Sequence, residues 1–392
     1  MLKHVLAPLA PEDFFRDYWT RKFLHISGQP DKFNNFYSWE VLNKALEEHR
    51  FDATRLMLYK SGTKIEPGRY LHRYQVNSGK LINELTNGAT LIFNRCEETW
   101  PPLRDLCIDL ESLFHHPVNV NLYAGWRRDN GFNVHWDEQD TLILHLAGRK
   151  CWRVWNPTRL HPLWDDPADA PADEPIWEGE LAPGGLMSIP RGWWHVAYPM
   201  DDPCLHLTVT VQNLTGIDLL RWLTDRMKSS VAARMALPIM ATPEERASWL
   251  EQVRSDLLAL WDETLVDRYL AEVDSKAMPR PRISLPVEAD PRRNGIRETT
   301  LLELAVPRPL QFSIQDGRAI CHAIGMNWSM DSNVAEKLRL FNDRQPHATL
   351  ELSAEPDLPL TAVIEVLVTN GVLRRVADSQ NRGNCNQTAI IT

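Results

Sequence analysis

His135 and Asp137 stand as an H-x-D triplet inside Gly131-Phe-Asn-Val-His-Trp-Asp-Glu-Gln-Asp140, and about sixty residues later His195 follows in Ser188-Ile-Pro-Arg-Gly-Trp-Trp-His-Val-Ala-Tyr198. On an extended chain residues i and i+2 share a face, so His135 and Asp137 point together while Trp136 points away. The segment ahead of His195 reads as a turn followed by a strand. A strand returning beside the first would add that imidazole to the same face. The constraint on the fold is therefore strong: two distant β-segments must be brought side by side.

The intervening and flanking sequence supplies such segments. Beyond Gly88 short apolar runs recur at Ala89 to Asn94, Val118 to Tyr123, Phe132 to Asp137, Leu142 to Leu146, Cys151 to Trp155, Leu186 to Ile189, Trp194 to Tyr198 and Cys204 to Val211. Short strands parted by turn residues predict a sandwich or jelly roll. The acidic, proline-rich Asp165-Asp-Pro-Ala-Asp-Ala-Pro-Ala-Asp-Glu-Pro175 is read as a solvated loop between strands, because proline cannot donate to a ladder.

Two imidazoles and a carboxylate on one side of an ion leave the opposite positions open, the arrangement of non-haem Fe(II) oxygenases. The hairpin after Asp137, Thr141-Leu-Ile-Leu-His-Leu146 and Arg149-Lys-Cys-Trp-Arg-Val-Trp155 around Ala147-Gly148, carries a cation, Lys150. Taken alone, Lys150 is either a solvated strand lysine or the partner of the far carboxylate of a dicarboxylate co-substrate. Thr141, Thr208 and Thr210 offer hydroxyls to a co-substrate or target, and His145 and His206 sit on strands where they can line the same cup.

The run from Asn121-Leu-Tyr123 through the H-x-D triplet to Gly148-Arg-Lys-Cys-Trp-Arg-Val154 resembles the JmjC-type cupin oxygenases, most closely their ribosomal oxygenase branch. Phe14-Phe-Arg-Asp-Tyr-Trp-Thr-Arg-Lys-Phe-Leu24 resembles that branch's N-terminal motif, and Leu91-Ile-Phe-Asn-Arg-Cys-Glu-Glu-Thr-Trp-Pro-Pro102 its segment ahead of the barrel. The resemblance implies Fe(II) held by His135, Asp137 and His195, with O2 as co-reactant. It implies 2-oxoglutarate held by Lys150 with help from Asn121, and Thr141 is added as a hydroxyl on the neighbouring strand. It also implies a double-stranded β-helix (cupin or jelly roll), then a helical region that mediates dimerisation, then a C-terminal winged-helix domain: mainly β with α. The domains expected are 1-215 (catalytic JmjC/cupin), 216-278 (helical, dimerisation) and 279-392 (linker and winged-helix-like). One departure is the loop Ala124-Gly-Trp-Arg-Arg-Asp-Asn130, where the branch has a Pro-Gly-Ser-rich loop. Trp126, Arg127 and Arg128 either remodel the mouth of the site or form an ordinary solvated loop.

Outside the strands the pattern is helical. Residues from about 10 to 60 include Ser38-Trp-Glu-Val-Leu-Asn-Lys-Ala-Leu-Glu-Glu48, with Ser38 suited to start a helix. Leu219 to Met227 is another candidate. Thr242-Pro-Glu-Glu245 has the residues of a capping box, followed by Leu250, Val253, Leu257, Leu260, Trp261 and Leu265 at helical spacing. That apolar face packs either on the barrel or on a second copy of the chain. Pro279 to Pro286 reads as a linker. Asn333 to Phe341 and Leu360 to Val368 read as helices, Asn370-Gly371 as a stop and Val372 to Val376 as a strand.

A net charge of -9 gives no general attraction to nucleic acid, and the mixed charges of the last hundred residues favour a structural or protein-docking role over phosphate binding. Six scattered cysteines, with no C-x-x-C pair, fit reduced thiols rather than a disulfide framework or zinc knuckle. The short apolar run at the N-terminus fits no signal peptide, so a soluble, cytoplasmic protein is expected. The resemblance implies a 2-oxoglutarate-dependent hydroxylase acting on a side chain in a protein or peptide, either a ribosomal protein, the branch's usual target, or a biosynthetic peptide. The alternatives are a non-catalytic metal-binding cupin scaffold and an N-methyl-lysine demethylase.

Overall fold

Period-two alternation organises the N-terminal unit, Met1–Asn213, of the computed structural model. The structure describes residues 1–127, 131–167, 169–200, 202–283, 285, 289, 295–297, 299–349 and 358–376. The strands of this unit are β1 (Leu24–Ile26), β2 (Leu56–Lys60), β3 (Thr63–Lys64), β4 (Leu71–His72), β5 (Gln75–Val76), β6 (Thr90–Phe93), β7 (Val118–Gly125), β8 (Asp140–Ala147), β9 (Lys150–Val154), β10 (Trp177–Leu181), β11 (Leu186–Ile189), β12 (His195–Pro199) and β13 (Cys204–Val211). A large antiparallel sheet runs β1-β11-β8-β13-β7-β6-β2-β3, and a second sheet runs β10-β9-β12.

Side chains alternate across the three central strands of the large sheet. Val118, Val120, Leu122 and Ala124 of β7, Leu142, Leu144 and Leu146 of β8, and Leu205, Leu207, Val209 and Val211 of β13 enter one hydrophobic core. Helices cover that face: α1 (Leu2–Leu6), α2 (Pro11–Asp17), α3 (Trp39–Glu48), α4 (Ser78–Thr86) and α5 (Pro101–Phe114). Ser38 caps α3 by accepting from the Val41 amide at 3.3 Å, as the sequence suggests. The opposite parity, which includes Tyr123, Thr141, Ile143, His206 and Thr208, turns toward the small sheet. Ile143, Met187 and Ile189 meet Trp152, Val154 and Leu181 there in a second, smaller core.

Two features differ from the expected strands. Phe132 to Asp137 is not a strand; its one pairing is an isolated antiparallel bridge between His135 and His195. Asn133, Glu138 and Gln139 have no strand alongside to complete a ladder. Conversely, Trp177–Leu181 is a strand although two of its five residues are glutamates. It is the edge of the small sheet, where Glu178 faces Arg153 and charge is the usual edge protection.

The second unit, Leu214–Thr392, opens with helices α6 (Gly216–Arg226), α7 (Val231–Arg234), α8 (Pro243–Ala259) and α9 (Leu265–Ser275). The capping box at Thr242 and Glu245 is present in both directions, and Thr215 and Asp218 form another. Strands β14 (Leu301–Leu304), β15 (Gln311–Gln315), β16 (Arg318–Ala323), β17 (Met326–Met330), β18 (His347–Ala348) and β19 (Leu373–Arg375) alternate with helices α10 (Ser332–Leu338) and α11 (Leu358–Thr369). The meander β15-β16-β17 was not anticipated; the expected helices near 333 and 360 and the strand near 372 are present. Leu302, Leu304, Cys321, Leu338, Phe341, Ile364 and Leu367 share its core. Cys385 and Arg128 lie outside the described residues. No helix among those described is long and apolar enough to cross a membrane, and no disulfide links Cys96, Cys107, Cys151, Cys204 or Cys321.

Within this unit Arg308 and Asp274 of α9 form an ion pair at 3.1 Å, with side chains 2% and 3% exposed. Removing one partner strands a buried charge. Asp274→Ala is expected to lower the unfolding free energy by about 3–5 kcal/mol in urea denaturation, and Asp274→Leu combined with Arg308→Met by much less. A loss below about 1 kcal/mol for the single variant would show that water already reaches the pair.

Candidate active site

Reciprocal backbone hydrogen bonds join the two histidine segments: the His135 amide donates to the His195 carbonyl at 3.2 Å, and the His195 amide donates back at 2.8 Å. Both imidazoles are thereby presented side by side, with ring centroids 4.4 Å apart. Asp137 follows at i+2, and its carbonyl accepts from the Gly192 amide at 3.0 Å, which ties the carboxylate segment to the turn before His195. The Asp137 carboxylate lies 3.9 Å from His135 Nε2 and 3.5 Å from His195 Nε2, and the three potential donor atoms fall within 4.8 Å of one another.

Each ring has its tautomer set by the backbone. His135 Nδ1 lies 2.7 Å from the Asn133 carbonyl and His195 Nδ1 lies 3.1 Å from the Trp193 carbonyl. A carbonyl only accepts, so Nδ1 carries a proton in both and Nε2 is the ring atom turned toward the carboxylate. Burial, reinforced by the neighbouring His135, lowers the His195 pKa to about 4 and keeps that ring neutral at physiological pH. Two imidazoles and a carboxylate form a donor set suited to a divalent transition ion. Asp140 braces the same turn. Its carboxylate accepts from the Arg191 amide and from Asn213, and burial raises its pKa to about 6.

The three side chains open onto a cavity of about 170 Å3 between the two sheets. Tyr123 of β7, Thr141 and Ile143 of β8, and His206 and Thr208 of β13 line it from the large sheet, and Lys150 and Trp152 of β9 from the small one. Lys150 is 5% exposed and its pKa is lowered by burial. Among the described residues no carboxylate lies within salt-bridge distance of it. The nearest aromatic is Trp152, whose ring centre is 5.8 Å from the ammonium. His206 stacks on Tyr123 with the rings 3° from parallel and 5.0 Å apart, and faces His145 beyond it. The Nδ1 atoms of His145 and His206 and the indole nitrogen of Trp152 are buried without a hydrogen-bond partner. Burial also lowers the pKa of both histidines, to about 4 for His145 and well below the ordinary range for His206.

His135, Asp137, His195, Lys150 and Thr141, all picked from the sequence, thus meet at one cavity. Asn121 shares the parity of Tyr123 and pairs with Thr208 across the ladder, but its side-chain oxygen accepts from the Arg95 amide at 3.1 Å and it is not among the lining residues. The Thr210 hydroxyl donates to the Asn119 carbonyl, and His145 lies behind the wall with Nε2 at 3.0 Å from the Gly148 carbonyl. Trp126 packs half-buried against Trp39 and borders a separate groove between α3 and α4. Tyr123 and Trp152 were not singled out in advance. Their signal was parity: each lies two residues after a residue that was, Asn121 and Lys150.

Residues 97–219 match the family model of the JmjC domain. Among curated proteins, the chain is similar to the "Bifunctional lysine-specific demethylase and histidyl-hydroxylase NO66" of several organisms. The identity is 28% over 225 residues for Drosophila pseudoobscura pseudoobscura, covering 53% of this chain and 22% of the relative. It is 24% over 304 residues for Drosophila mojavensis, covering 70% and 33%, and 28% over 240 residues for Dictyostelium discoideum, covering 56% and 44%. The chain therefore spans less than half the length of each of these relatives. Among solved structures, Escherichia coli ycfD aligns over 94% of this chain and 99% of its own with a TM-score of 0.61 at 16% identity. The same ribosomal oxygenase in complex with cobalt and 2-oxoglutarate aligns over the same shares with a TM-score of 0.59. These alignments give a shared fold, and the match to the JmjC domain model brackets the H-x-D triplet, Lys150 and His195.

Proposed function

We propose that the chain is an Fe(II)- and 2-oxoglutarate-dependent dioxygenase that hydroxylates an amino-acid side chain in a protein or peptide. The observation that carries the reading is the meeting, in one cavity, of a three-donor face with a buried ammonium that has no acidic partner among the described residues. An unpaired buried ammonium is costly, and a carboxylate from a ligand relieves that cost. Bound iron with 2-oxoglutarate and O2 supplies the oxidising chemistry that inserts oxygen into a C–H bond. The chain's share is placement. His135, Asp137 and His195 hold the metal, and Lys150 pairs with the far carboxylate of the co-substrate. Thr141 adds a polar contact, while Asn121, outside the cavity lining, braces β7 against the Arg95 amide. Phe132, Ile143 and Trp152 keep the cavity apolar enough to strengthen those charges. A ribosomal protein is the favoured substrate, supported by the ribosomal oxygenase among the solved structures, with a biosynthetic peptide as the rival. Lysine demethylation is the second reading, supported by the double activity in the relatives' name. The absence of a disulfide among the described cysteines supports a cytoplasmic setting.

His135→Ala and Asp137→Ala are expected to abolish both Co(II) binding, followed by calorimetry, and succinate formation; retained metal affinity would refute the ligand assignment. Lys150→Ala is expected to raise the half-saturating 2-oxoglutarate concentration by about tenfold to a hundredfold while metal binding persists, the range of a charge-assisted bond worth about 1.5–3 kcal/mol. Because burial lowers the Lys150 pKa, the free cavity loses its positive charge as pH rises, beginning below the ordinary lysine range of about 10.4. Co-substrate affinity should fall over that window, and an affinity flat through it would count against Lys150. A non-catalytic scaffold would bind Co(II) yet form no succinate with any protein added.

We further propose that residues 216–278 form a homodimer surface, and that residues 279–392 form a linker and a winged-helix-like domain serving protein docking. Helix α8 has no buried residue, while Leu250 and Leu258 on it and Met235, Leu237, Ile239, Met240 and Trp261 beside it are more than half exposed. Such a concentration of exposed apolar side chains marks an association surface. Leu250→Asp with Leu237→Asp is expected to shift the sedimentation mass from dimer to monomer without altering succinate formation; a wild-type chain sedimenting as a monomer would refute the proposal.

A further inference from the structure

The loop joining β9 to β10, residues 155–176, holds two large apolar side chains out in water: Leu160 is 77% exposed and Trp164 81%. The loop is not slack. Arg159 pairs with one Asp166 oxygen at 3.0 Å, and the other accepts from the Leu163 amide at 2.7 Å. The Thr158 hydroxyl donates to the Asp169 carbonyl at 3.2 Å, and the Trp155 indole donates to the Asp173 carbonyl at 3.0 Å. A pre-ordered loop presenting an uncovered tryptophan has the character of an interface anchor, since little entropy remains to be lost on contact.

Its base is built onto the histidine turn. The Trp194 indole donates to Thr158 Oγ1 at 3.0 Å, and the Trp155 amide donates to the Trp194 carbonyl at 2.8 Å. A Cβ on Gly192 would lie 2.4 Å from Pro162 Cδ, so the loop and the turn fit only because residue 192 has none. The same Gly192 amide holds the Asp137 carbonyl. Whatever the loop grips is therefore held in register with the donor residues.

Charge selects the occupant. The loop carries Asp165, Asp166, Asp169, Asp173 and Glu174 against Arg159, five negative and one positive, hence -4 with His161 neutral. Arg159 is already paired with Asp166, while Asp165, Asp169, Asp173 and Glu174 face solvent. Nucleic acid would be repelled from a loop of this charge. We propose that this loop is the docking platform for the polypeptide substrate and takes a lysine- or arginine-rich segment that lays an aliphatic or aromatic side chain across Leu160 and Trp164. The inference rests on the reading of the chain as a protein or peptide hydroxylase.

Synthetic fluorescent peptides of matched apolar content, graded from strongly anionic to strongly cationic, provide the test by anisotropy with the full chain. Cationic peptides should bind preferentially and more weakly as salt rises. Trp164→Ala should weaken that binding about tenfold or more, the order of a truncated anchor, and Asp165→Asn with Asp169→Asn and Asp173→Asn should remove the charge preference. Melting temperature and peptide-independent succinate formation should stay at wild-type values in these variants, which shows that fold and cavity are intact. Absence of a cationic preference, or binding by Trp164→Ala equal to wild type, overturns the docking role. Absence of succinate formation by the wild-type chain overturns the enzymatic reading instead, and the peptide titration reports separately.

Discussion

Everything chemical in this chain depends on one two-bond ring between backbone groups. An antiparallel pair that exchanges both N–H···O bonds brings its two α-carbons to a separation of about 5.5 Å and sends both side chains to the same side. His135 and His195 form such a pair outside any longer ladder, so their rings are matched by backbone geometry rather than by packing. The remaining architecture delivers those two segments to each other. Strand β12 begins at His195 and pairs with β9, which carries Lys150, and the turn before it is bound through Gly192 to the backbone of Asp137. The candidate metal donors and the ammonium are therefore tied together through one continuous run of backbone hydrogen bonds.

Much of this was readable because alternation is a local property. In β7, β8 and β13 the aliphatic residues on one parity marked the core, and the histidines, threonines and tyrosine on the other parity marked the cup. Lys150 was legible for the same reason, since a cation on a well-patterned strand points to one face or the other. What escaped was whatever lacked an apolar stripe. Trp177–Leu181 is missing from the expected strands because an edge strand tolerates glutamates, and its pairing with β9 is visible only in three dimensions. The meander of Gln311 to Met330 had a signal that went unused. Asp316-Gly317 and Ile324-Gly325 each take positive φ between strands that pair directly across them, the two-residue hairpin pattern.

The segment around the first imidazole fails as a strand for a related reason. His135 Nδ1 takes up the Asn133 carbonyl, and Asp137 gives its own carbonyl to Gly192 rather than to a neighbouring strand. Groups that a ladder would use are committed to orienting a ring and bracing a turn. The i and i+2 argument still places the two side chains together, although the backbone that does so is a single bridge. Local consistency with a regular element gives way where the donors are positioned, which is where such conflicts are expected.

The cavity wall shows the same trade in electrostatic form. Lys150 is the one lysine or arginine among its lining residues; burial first and Lys150 second hold His206 uncharged, and His145 behind it is neutral chiefly through burial. Asp137 is the one carboxylate. The wall is thus polar but close to neutral, and two of its buried nitrogens, on His206 and Trp152, have no hydrogen-bond partner among the described residues. Each such group costs about 1–3 kcal/mol relative to a satisfied one. A core selected for stability alone would replace them with aliphatic side chains, as it does at Leu207 on the opposite face of β13. Their retention around an unpaired ammonium means that the folded chain carries unmet hydrogen-bonding capacity directed at this one cavity. A dicarboxylate, which brings acceptors and negative charge together, meets both deficits at once.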